Sequence, residues 1–189
     1  MAESSQNTPE ALYTALRAEV GEQTLPPVHL WHPERRGTID IRIKSDGRWF
    51  HEGVEIKRLG LVKVLASVLR RDEDGFVLVT PAERLLITVD DAPFIAGGMD
   101  VQNAGTPEQE LLFTTNLGEL VVASAEQPIA VTYENPNDPA EPRPYIEVRK
   151  GLHALIARSV FYRLVELGRE ESGRFVVSSG GAEFVLGVV

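Results

Sequence analysis

The sequence contains no cysteine, which removes several kinds of chemistry at once. A chain without cysteine has no disulfide, no thiolate nucleophile and no zinc site built on cysteine. Cationic residues are also few, with 19 Lys and Arg against 28 Asp and Glu and a formal net charge of -9. Because binding to a phosphate backbone requires clustered cations, we expect no nucleic-acid partner.

Long apolar runs are absent as well. None approaches the ~20 residues that a membrane-spanning helix needs, and the first residues show neither the basic nor the apolar region of a signal peptide. We therefore expect a cytoplasmic protein with no membrane partner. What is present is ordinary for a globular protein: 189 residues, 43% hydrophobic and 25% charged, are enough for one large core or two small ones.

The chain begins with a polar segment that predicts one short helix. Residues 1–25 form this tail and helix, in which Thr8 is the N-cap and Leu12, Leu16 and Val20 are the apolar stripe. The prolines that follow predict a linker, so the first module is expected to start at residue 26.

The first module, residues 26–102, is predicted to begin with a meander of three strands. Isoleucines alternate with polar residues in "TIDIRI", and two turns that contain glycine follow. A helix comes next, because apolar residues recur at helical spacing in "LGLVKVLASVL", and Arg70 and Arg71 suit its carboxyl end. The strands "FVLVT" and "RLLITVD" complete the module.

The second module, residues 103–189, is predicted to repeat this order of elements. Three short strands, "ELLFTT", "ELVVA" and "IAVTYE", form another meander. Residues 135–144 hold four prolines and predict an exposed loop. "YIEVR" then leads into a helix with apolar residues from Leu152 to Val160, and "RFVVSS" and "AEFVLGVV" predict a closing hairpin.

Two stretches of the sequence support a duplication. "VEIKRLGLVKVLAS" aligns without a gap with "IEVRKGLHALIARS", so that Lys57 pairs with Arg149 and Arg58 with Lys150. The alternative is coincidence, since an amphipathic helix after a strand is common. We predict an α+β fold of two similar modules from an internal duplication, each an antiparallel sheet with one packed helix.

These blocks of sequence resemble a bacterial family known as domain of unknown function 1285 (DUF1285). The resemblance begins at about Pro26 and rests on "WHPERRGTIDIRI", "DGRWFHEG", "IKRLGLVKVLASVLRR", "LVTPAE", "VDDAPF", "FTTNLG", "PYIEVRKGLHALIARSVFYRLVELG" and "SSGGAEFVLG". It implies a duplication of α+β modules, the second superficially similar to a pleckstrin-homology fold. It also implies a nucleotide-type ligand between the two halves and a role in signal transduction.

Four cations are predicted at the points where a strand gives way to a helix: Lys57, Arg58, Arg149 and Lys150. The start of a helix offers unpaired backbone N–H groups and the positive end of the helix dipole, and added cations strengthen its attraction for an anion. We therefore predict that an anionic small molecule binds these residues.

An alternative for these cations is ordinary pairing at the surface. Glu55 and Glu147 are close in sequence, and an exposed ion pair contributes about 0–1 kcal/mol. Cations are unfavourable at the start of a helix, and their placement there in both stretches needs a stronger compensating interaction than an exposed ion pair. This favours the interpretation that an anion binds them.

Aromatic and polar residues complete the predicted ligand site. An indole beside a basic corner can stack on a base, although core packing is the alternative, and polar turns between strands can cap the strands as well as contact a ligand. The remaining candidate ligand-binding residues are Trp49, His51, Thr80, Glu83, Asn116 and Tyr145.

A metal site is the weaker interpretation of the histidines. His29 and His32 have a spacing seen in some metal sites, and Asp40 or His51 would add further ligands. An extended chain before a proline directs the two imidazoles apart, so we predict no metal ligand.

No catalytic motif is visible. The sequence has no phosphate-binding "GxxxxGK", no "GxGxxG" after a strand and no nucleophile elbow. We predict no catalytic residue and no cofactor, and a regulatory or ligand-binding function. The alternatives are a protein-interaction adaptor, whose partner is another protein, and a hydrolase with converging carboxylates.

Overall fold

The computed structural model describes residues 8–11, 14, 25–135 and 138–188. The chain divides into two compact units, Met1–Asp91 and Ala92–Val189. Each unit contains a six-stranded sheet with a packed α-helix in an α+β fold, so the predicted architecture of two similar modules is confirmed. The division falls before the strand that begins at Phe94, whereas the sequence placed that segment in the first module.

The first unit is built on one mixed sheet. Its order is β3-β2-β1-β6-β5-β4, and every neighbouring pair is antiparallel except β1 with β6. A 3₁₀ turn, Val28–Leu30, precedes the sheet, and helix α1, Leu59–Ser67, connects β3 to β4. The strands are β1 (Arg35–Ile43), β2 (Trp49–His51), β3 (Val54–Glu55), β4 (Leu69–Asp72), β5 (Gly75–Val79) and β6 (Glu83–Val89).

The meander β1-β2-β3 forms as the sequence predicted. Ile39, Ile41 and Ile43 are buried on one face of β1 while their neighbours are exposed. The turn before β2 uses Gly47 at φ +83°, and the turn before β3 uses Gly53 at φ +78°. Glycine adopts these positive φ angles without the steric strain that other residues meet, so the two turns set the register of the strands.

Helix α1 ends earlier than the sequence predicted. It buries Leu61 and Leu65 and stops at Ser67, and the two arginines expected at its carboxyl end lie on β4 instead. Arg70 explains the change, because its Nη1 donates hydrogen bonds of 2.8 Å to the carbonyl oxygens of both Val28 and Trp31. The arginine therefore fastens the 3₁₀ turn beside β4, a contact that local periodicity does not reveal.

The second unit contains a second six-stranded sheet and a smaller one. The order is β10-β11-β12-β7-β8-β9, again antiparallel except for one pair, β12 with β7, and β13-β14-β15 form a separate antiparallel sheet. Helix α2, Arg158–Leu167, lies between the two sheets in sequence. The strands are β7 (Phe94–Gln102), β8 (Glu110–Thr115), β9 (Leu120–Val122), β10 (Ile129–Asn135), β11 (Asp138–Arg149), β12 (Leu152–Ile156), β13 (Arg169–Glu171), β14 (Arg174–Ser179) and β15 (Ala182–Val188).

The two large sheets share one topology. In each sheet, the first strand is central and the second and third lie progressively nearer one edge. The fourth strand forms the opposite edge, and the fifth and sixth lie progressively nearer the centre. The first and sixth strands are therefore neighbours, and they pair in parallel. The helices are placed differently, because α1 follows the third strand of its sheet and α2 follows the sixth. The sheets are therefore equivalent, but the strand-to-helix stretches that align in the sequence are not.

The prediction of a helix from Leu152 onwards is wrong. Leu152–Ile156 is the strand β12, in which Leu152, Ala154 and Ile156 are buried in alternation, and α2 begins only at Arg158. Gly151, at φ +73°, closes a hairpin between β11 and β12. The apolar residues of this segment fit both a helical period and a two-residue period. The segment is a strand because it pairs with β11 in the hairpin.

The prediction of an exposed loop at residues 135–144 is also wrong for the residues that the structure describes. Pro142 and Pro144 lie on β11, opposite Tyr133 and Val131 of β10. Pairing between β11 and β12 starts at Tyr145 in the described register, so the proline-containing half of β11 has β10 as its neighbour. Proline, which lacks an N–H donor, is tolerated in a strand with a free side.

The described part of the leading helix agrees with its predicted cap. Residues 9–11 and 14 are helical, and the backbone N–H of Ala11 donates to Thr8 Oγ1 at 3.2 Å. The predicted stripe of Leu12, Leu16 and Val20 lies outside the described residues.

Candidate functional site

The first basic pair lies where the sequence placed it, at the corner between β3 and α1. Lys57 and Arg58 are both exposed, and Arg58 is the N-cap of the helix. Among the described residues, no side chain caps this helix through a hydrogen bond, and its first turn contains no acidic residue. A Cβ added at Gly60 would meet no described atom within 4 Å. In the part of the chain that the structure describes, the start of α1 is therefore an uncapped helix end that carries two cations.

The charge of the chain is unevenly divided along its sequence. Residues 26–91 contain eleven Lys and Arg and eleven Asp and Glu, whereas residues 92–189 contain seven against thirteen. The acidic side chain nearest in sequence, Glu55, has its Oε2 at 3.6 Å from Arg48 Nη1. The corner thus lies in the part of the sequence whose formal charges balance, so the net charge of that part does not oppose an anion.

The second basic pair does not lie at the start of a helix, which corrects the sequence prediction. Arg149 is the last residue of β11, and Lys150 is exposed in the hairpin turn that leads to β12. The aligned cations therefore occupy different structural positions. In the shared sheet topology, the β11–β12 turn corresponds to the β5–β6 turn, not to the β3–α1 corner.

Arg149 is engaged inside the second unit. Its side chain is 19% exposed, its Nη2 lies 3.2 Å from Glu119 Oε1, and its guanidinium lies 5.4 Å from the centre of the Phe94 ring. Burial lowers the pKa of Arg149, and the neighbouring carboxylate of Glu119 opposes that shift. Glu147, the acid suggested by the sequence, instead accepts the backbone N–H of Gly151 at 2.8 Å.

Glu119 is the partner that sequence reasoning missed. Thirty residues separate it from Arg149, and the contact depends on β8 and β11 running in the same direction and ending at the same end of the sheet. No local pattern carries that information. Phe94 was missed for the same reason, since it reaches the arginine from the start of β7.

The turn residues Thr80 and Glu83 hold the start of β6. Thr80 is buried, and its Oγ1 accepts the backbone N–H groups of Ala82 at 3.2 Å and Glu83 at 3.0 Å. The carboxylate of Glu83 lies 3.6 Å from Arg35 Nε at the start of β1. Both residues therefore cap the strands, as one of the sequence interpretations proposed.

Thr115 plays the same part in the second sheet, within the polar turn from Thr114 to Gly118 that the sequence also predicted to cap strands. Its Oγ1 accepts the N–H groups of Leu117 at 3.4 Å and Glu119 at 3.0 Å, in the turn between β8 and β9. A signal was available, because "VTPAE" and "TTNLGE" both place a threonine at the end of a strand and a glutamate soon after it.

Asn116 lies at the same end of the second sheet as Arg149 and Lys150. Its Oδ1 accepts the N–H of Ile95 at 3.0 Å, and its own N–H donates to the Ile95 carbonyl at 2.8 Å. Tyr145 precedes Arg149 by four residues on β11, which is a distance of about 13 Å in an extended strand. The hydroxyl of Tyr145 accepts a hydrogen bond of 3.1 Å from Arg143 Nε.

The first sheet separates its candidate residues. Trp49 lies near the basic corner, since its carbonyl accepts the N–H of Ile56 at 2.8 Å, but its side chain is 1% exposed and belongs to the core. His51, at the other end of β2, is half-buried. Thr80 and Glu83 are at the opposite end of β1 from Trp49, because Glu83 is opposite Arg35 and Trp49 is opposite Ile43.

Metal ligation and membrane spanning find no structural support in the described part of the chain. His29 and His32 are both exposed, and no three His, Asp or Glu side chains among the described residues are grouped as a metal site requires. The helices of residues 25–135 and 138–188 are all too short or too polar to cross a membrane.

Comparison with known families matches the chain along most of its length. Residues 26–92 match the N-terminal domain of the domain of unknown function DUF1285, and residues 93–186 match the C-terminal domain of the same family. The two matches meet one residue from the boundary between the compact units.

Two solved structures have the same fold. A DUF1285 family protein from Silicibacter pomeroyi DSS-3 is 46% identical, with a TM-score of 0.83 over 94% of this chain and 95% of that chain. A DUF1285 family protein from Shewanella baltica OS155 is 22% identical, with a TM-score of 0.53 over 68% of this chain and 92% of that chain. No curated protein matches the chain.

Proposed function

The chain belongs to the DUF1285 family, and we propose that it is a regulatory binding protein whose ligand is an anionic small molecule of the nucleotide type. The observation that carries this proposal is the start of α1. There, an uncapped helix end with no acid in its first turn is joined to two exposed cations, Lys57 and Arg58.

A phosphate group suits this corner for two physical reasons. The first N–H groups of a helix have no acceptor within the helix, and the dipole of the helix favours negative charge near them. Lysine and arginine add charge-assisted hydrogen bonds, which are shorter and stronger than bonds between neutral groups. No described atom outside the helix backbone and the neighbouring residues lies within 4 Å of a Cβ placed at Gly60, which would let a phosphate approach the backbone.

Arg149 and Lys150 are not part of this site in the proposal. The charge of Arg149 is engaged by Glu119, and the hairpin turn offers no helix end. The predicted position of the ligand between the two modules, the signalling role and the cytoplasmic location stay predictions from the sequence, as does the likeness of the second module to a pleckstrin-homology fold.

A thermal-shift screen of the full chain against nucleoside mono-, di- and triphosphates and cyclic nucleotides tests the proposal. A ligand present at 100 times its Kd adds about 2.7 kcal/mol to the free energy of unfolding, which is easily measured. We expect at least one nucleotide to stabilise the protein, and the double variant Lys57→Ala/Arg58→Ala to lose that stabilisation.

The matched control removes two other exposed cations of the same unit, Arg36 and Lys63. The variant Arg36→Ala/Lys63→Ala has the same net charge as the test variant, so it separates the corner from a general loss of positive charge. A nucleotide shift that survives the loss of Lys57 and Arg58 would show that the site has been placed wrongly.

A further inference from the structure

Strands β7, β8 and β9 of the second unit direct alternate side chains to the core and to the outward side of their sheet. In β8 the buried residues are Leu111, Phe113 and Thr115, whereas Leu112 between them is half-buried. An antiparallel sheet with one solvated face usually places apolar residues inwards and polar residues outwards. The aliphatic side chain of Leu112 on the outward side departs from that pattern.

The strand register shows that the outward residues around Leu112 form one surface. Leu112 lies directly opposite Asp100 of β7 on one side and Val122 of β9 on the other. Residues opposite each other share a face and have Cα atoms about 5 Å apart, so this row spans about 10 Å. Glu110 precedes Leu112 by two residues and Leu120 precedes Val122 by two, which puts them on the same face. We name these five residues the outer face.

The outer face combines aliphatic side chains with two acids. Leu120 is 64% exposed, Asp100 is exposed and Glu110 is half-buried. Within residues 25–135 and 138–188, neither Asp100 nor Glu110 forms an ion pair. The outer face therefore presents two carboxylates without a cation beside three aliphatic side chains, a mixed surface typical of interaction sites.

We propose that the outer face binds a basic segment of a partner protein, and that this segment also carries aliphatic side chains. The cations of the segment lie against Asp100 and Glu110, and its aliphatic side chains cover Leu112, Leu120 and Val122. This surface belongs to the second unit. The inference therefore goes beyond the nucleotide site proposed at α1 and does not rest on it.

Charge complementarity supports a basic partner. Residues 92–189 contain seven Lys and Arg against thirteen Asp and Glu, and Arg149 and Arg169 already pair with carboxylates of the same unit. An excess of acids attracts a cationic segment and raises its rate of association.

The same charges oppose the other occupants. A second copy of the chain that docked through the same face would set acid against acid, and each copy has a net charge of -9. Nucleic acid and an anionic lipid surface would each bring further negative charge to Asp100 and Glu110. A basic protein segment is therefore the occupant that the outer face favours.

Fluorescence anisotropy with the full chain tests this inference. The probe is a labelled peptide that forms an amphipathic helix, with Leu on one side and Lys flanking it. Two control peptides replace either every Lys by Gln or every Leu by Ser. We expect the first peptide to bind with an affinity that falls as salt is added. Each control peptide should bind about tenfold more weakly or worse, because it lacks one of the two contacts.

Substitutions on the outer face should weaken binding of the first peptide. Asp100→Asn/Glu110→Gln removes both carboxylates, and Leu120→Ser/Val122→Thr removes two aliphatic contacts, so each should lower the affinity about tenfold or more. Leu120→Arg should lower it as well, because it sets a cation against the lysines of the peptide. This single change at a position that is 64% exposed leaves the buried side of the sheet intact, so the test survives if the double variant does not fold.

Matched controls change the same kinds of residue elsewhere in the second unit. Glu166→Gln/Glu170→Gln alters two exposed acids and shifts the net charge by the same amount as the change at the outer face. Leu167→Ser/Val185→Thr alters two exposed aliphatic residues. Both variants should keep the affinity of the native chain.

Four results would overturn the inference: no binding of the first peptide, equal binding of the Leu→Ser peptide, unchanged affinity in the outer-face variants, or an equal loss in the matched controls. A dimer of the chain that Leu120→Arg dissociates in analytical ultracentrifugation would instead assign the outer face to a second copy. Lys57→Ala/Arg58→Ala should leave peptide binding unchanged, so the inference and the proposed function stand or fail separately.

Discussion

Arg84 and Asp72 form an ion pair in the first unit, with 2.7 Å between Nε and Oδ2 and with the arginine side chain only 7% exposed. The same carboxylate accepts from Arg70 Nε at 2.7 Å, and Arg84 also pairs with Asp74. One aspartate therefore joins β4 to β6 across β5, and through Arg70 it reaches the 3₁₀ turn.

Replacing Asp72 by Asn should destabilise the first unit by about 2–4 kcal/mol, because it leaves a buried guanidinium without one of its anionic partners. The free energy of unfolding in urea measures the change. Asp90→Asn is the control, since Asp90 pairs with an arginine that is 56% exposed, and should cost no more than about 1 kcal/mol. Equal losses in the two variants would contradict the role given to Asp72.

The contribution of Asp72 should also depend on pH. Hydrogen bonding from Arg70, followed by that from Arg84, lowers the pKa of Asp72 below its ordinary value of 3.8. A carboxylate with a lowered pKa stabilises the folded state at pH above the unfolded value, and this contribution disappears as the pH falls through the folded value. The difference in unfolding free energy between the native chain and Asp72→Asn should therefore be constant near neutrality and shrink below about pH 3.8.

The two basic pairs should behave differently when mutated. Arg149→Ala removes a mostly buried side chain from Glu119 and Phe94, and we expect a loss of about 2–3 kcal/mol in the stability of the second unit. Lys150→Ala is its exposed neighbour and should change stability by less than about 0.5 kcal/mol. Chemical unfolding followed by circular dichroism compares them. A neutral Arg149→Ala would return that residue to the list of ligand candidates.

The turn between β14 and β15 offers a test of close packing. Gly180 and Gly181 both have positive φ, but a Cβ at Gly180 would lie 2.8 Å from the carbonyl oxygen of Ala123, whereas one at Gly181 would meet no described atom within 4 Å. Gly181→Ala should cost about 1 kcal/mol from backbone strain alone, and Gly180→Ala clearly more. The difference between their melting temperatures reports the steric part, and identical values would mean that the turn moves freely.

Local patterns predicted those elements whose cause is local. The first meander follows from alternating isoleucines and two glycine turns, and α1 from the spacing of Leu61 and Leu65. The segment after Arg149 misled because Leu152 to Ile156 fits two periods, and only the hairpin with β11 decides between them. Strand β7 was missed because Gly97 and Gly98 interrupt its apolar pattern, and its neighbours β8 and β12 supply the pairing.

The positions of the candidate site residues were also predicted correctly only where neighbouring residues in the sequence determine them. Lys57 and Arg58 were placed correctly, because the strand and the helix on either side of them are both visible in the sequence. Arg149 was placed wrongly, since an alignment of residue types does not distinguish a hairpin turn from a helix start. Its partner Glu119 depends on contact between distant strands, which no spacing rule contains.

The parallel pairing of the first and sixth strands of each large sheet has a consequence for folding during protein synthesis. During synthesis β1 emerges early, and β6, its neighbour at the centre of the sheet, emerges last in that sheet; β7 and β12 stand in the same relation. Contacts between strands far apart in sequence form slowly, and an unpaired strand edge is prone to associate with other chains. Each nascent unit must therefore keep a central strand half-paired until its last strand has left the ribosome, a period in which a chaperone would have most to protect.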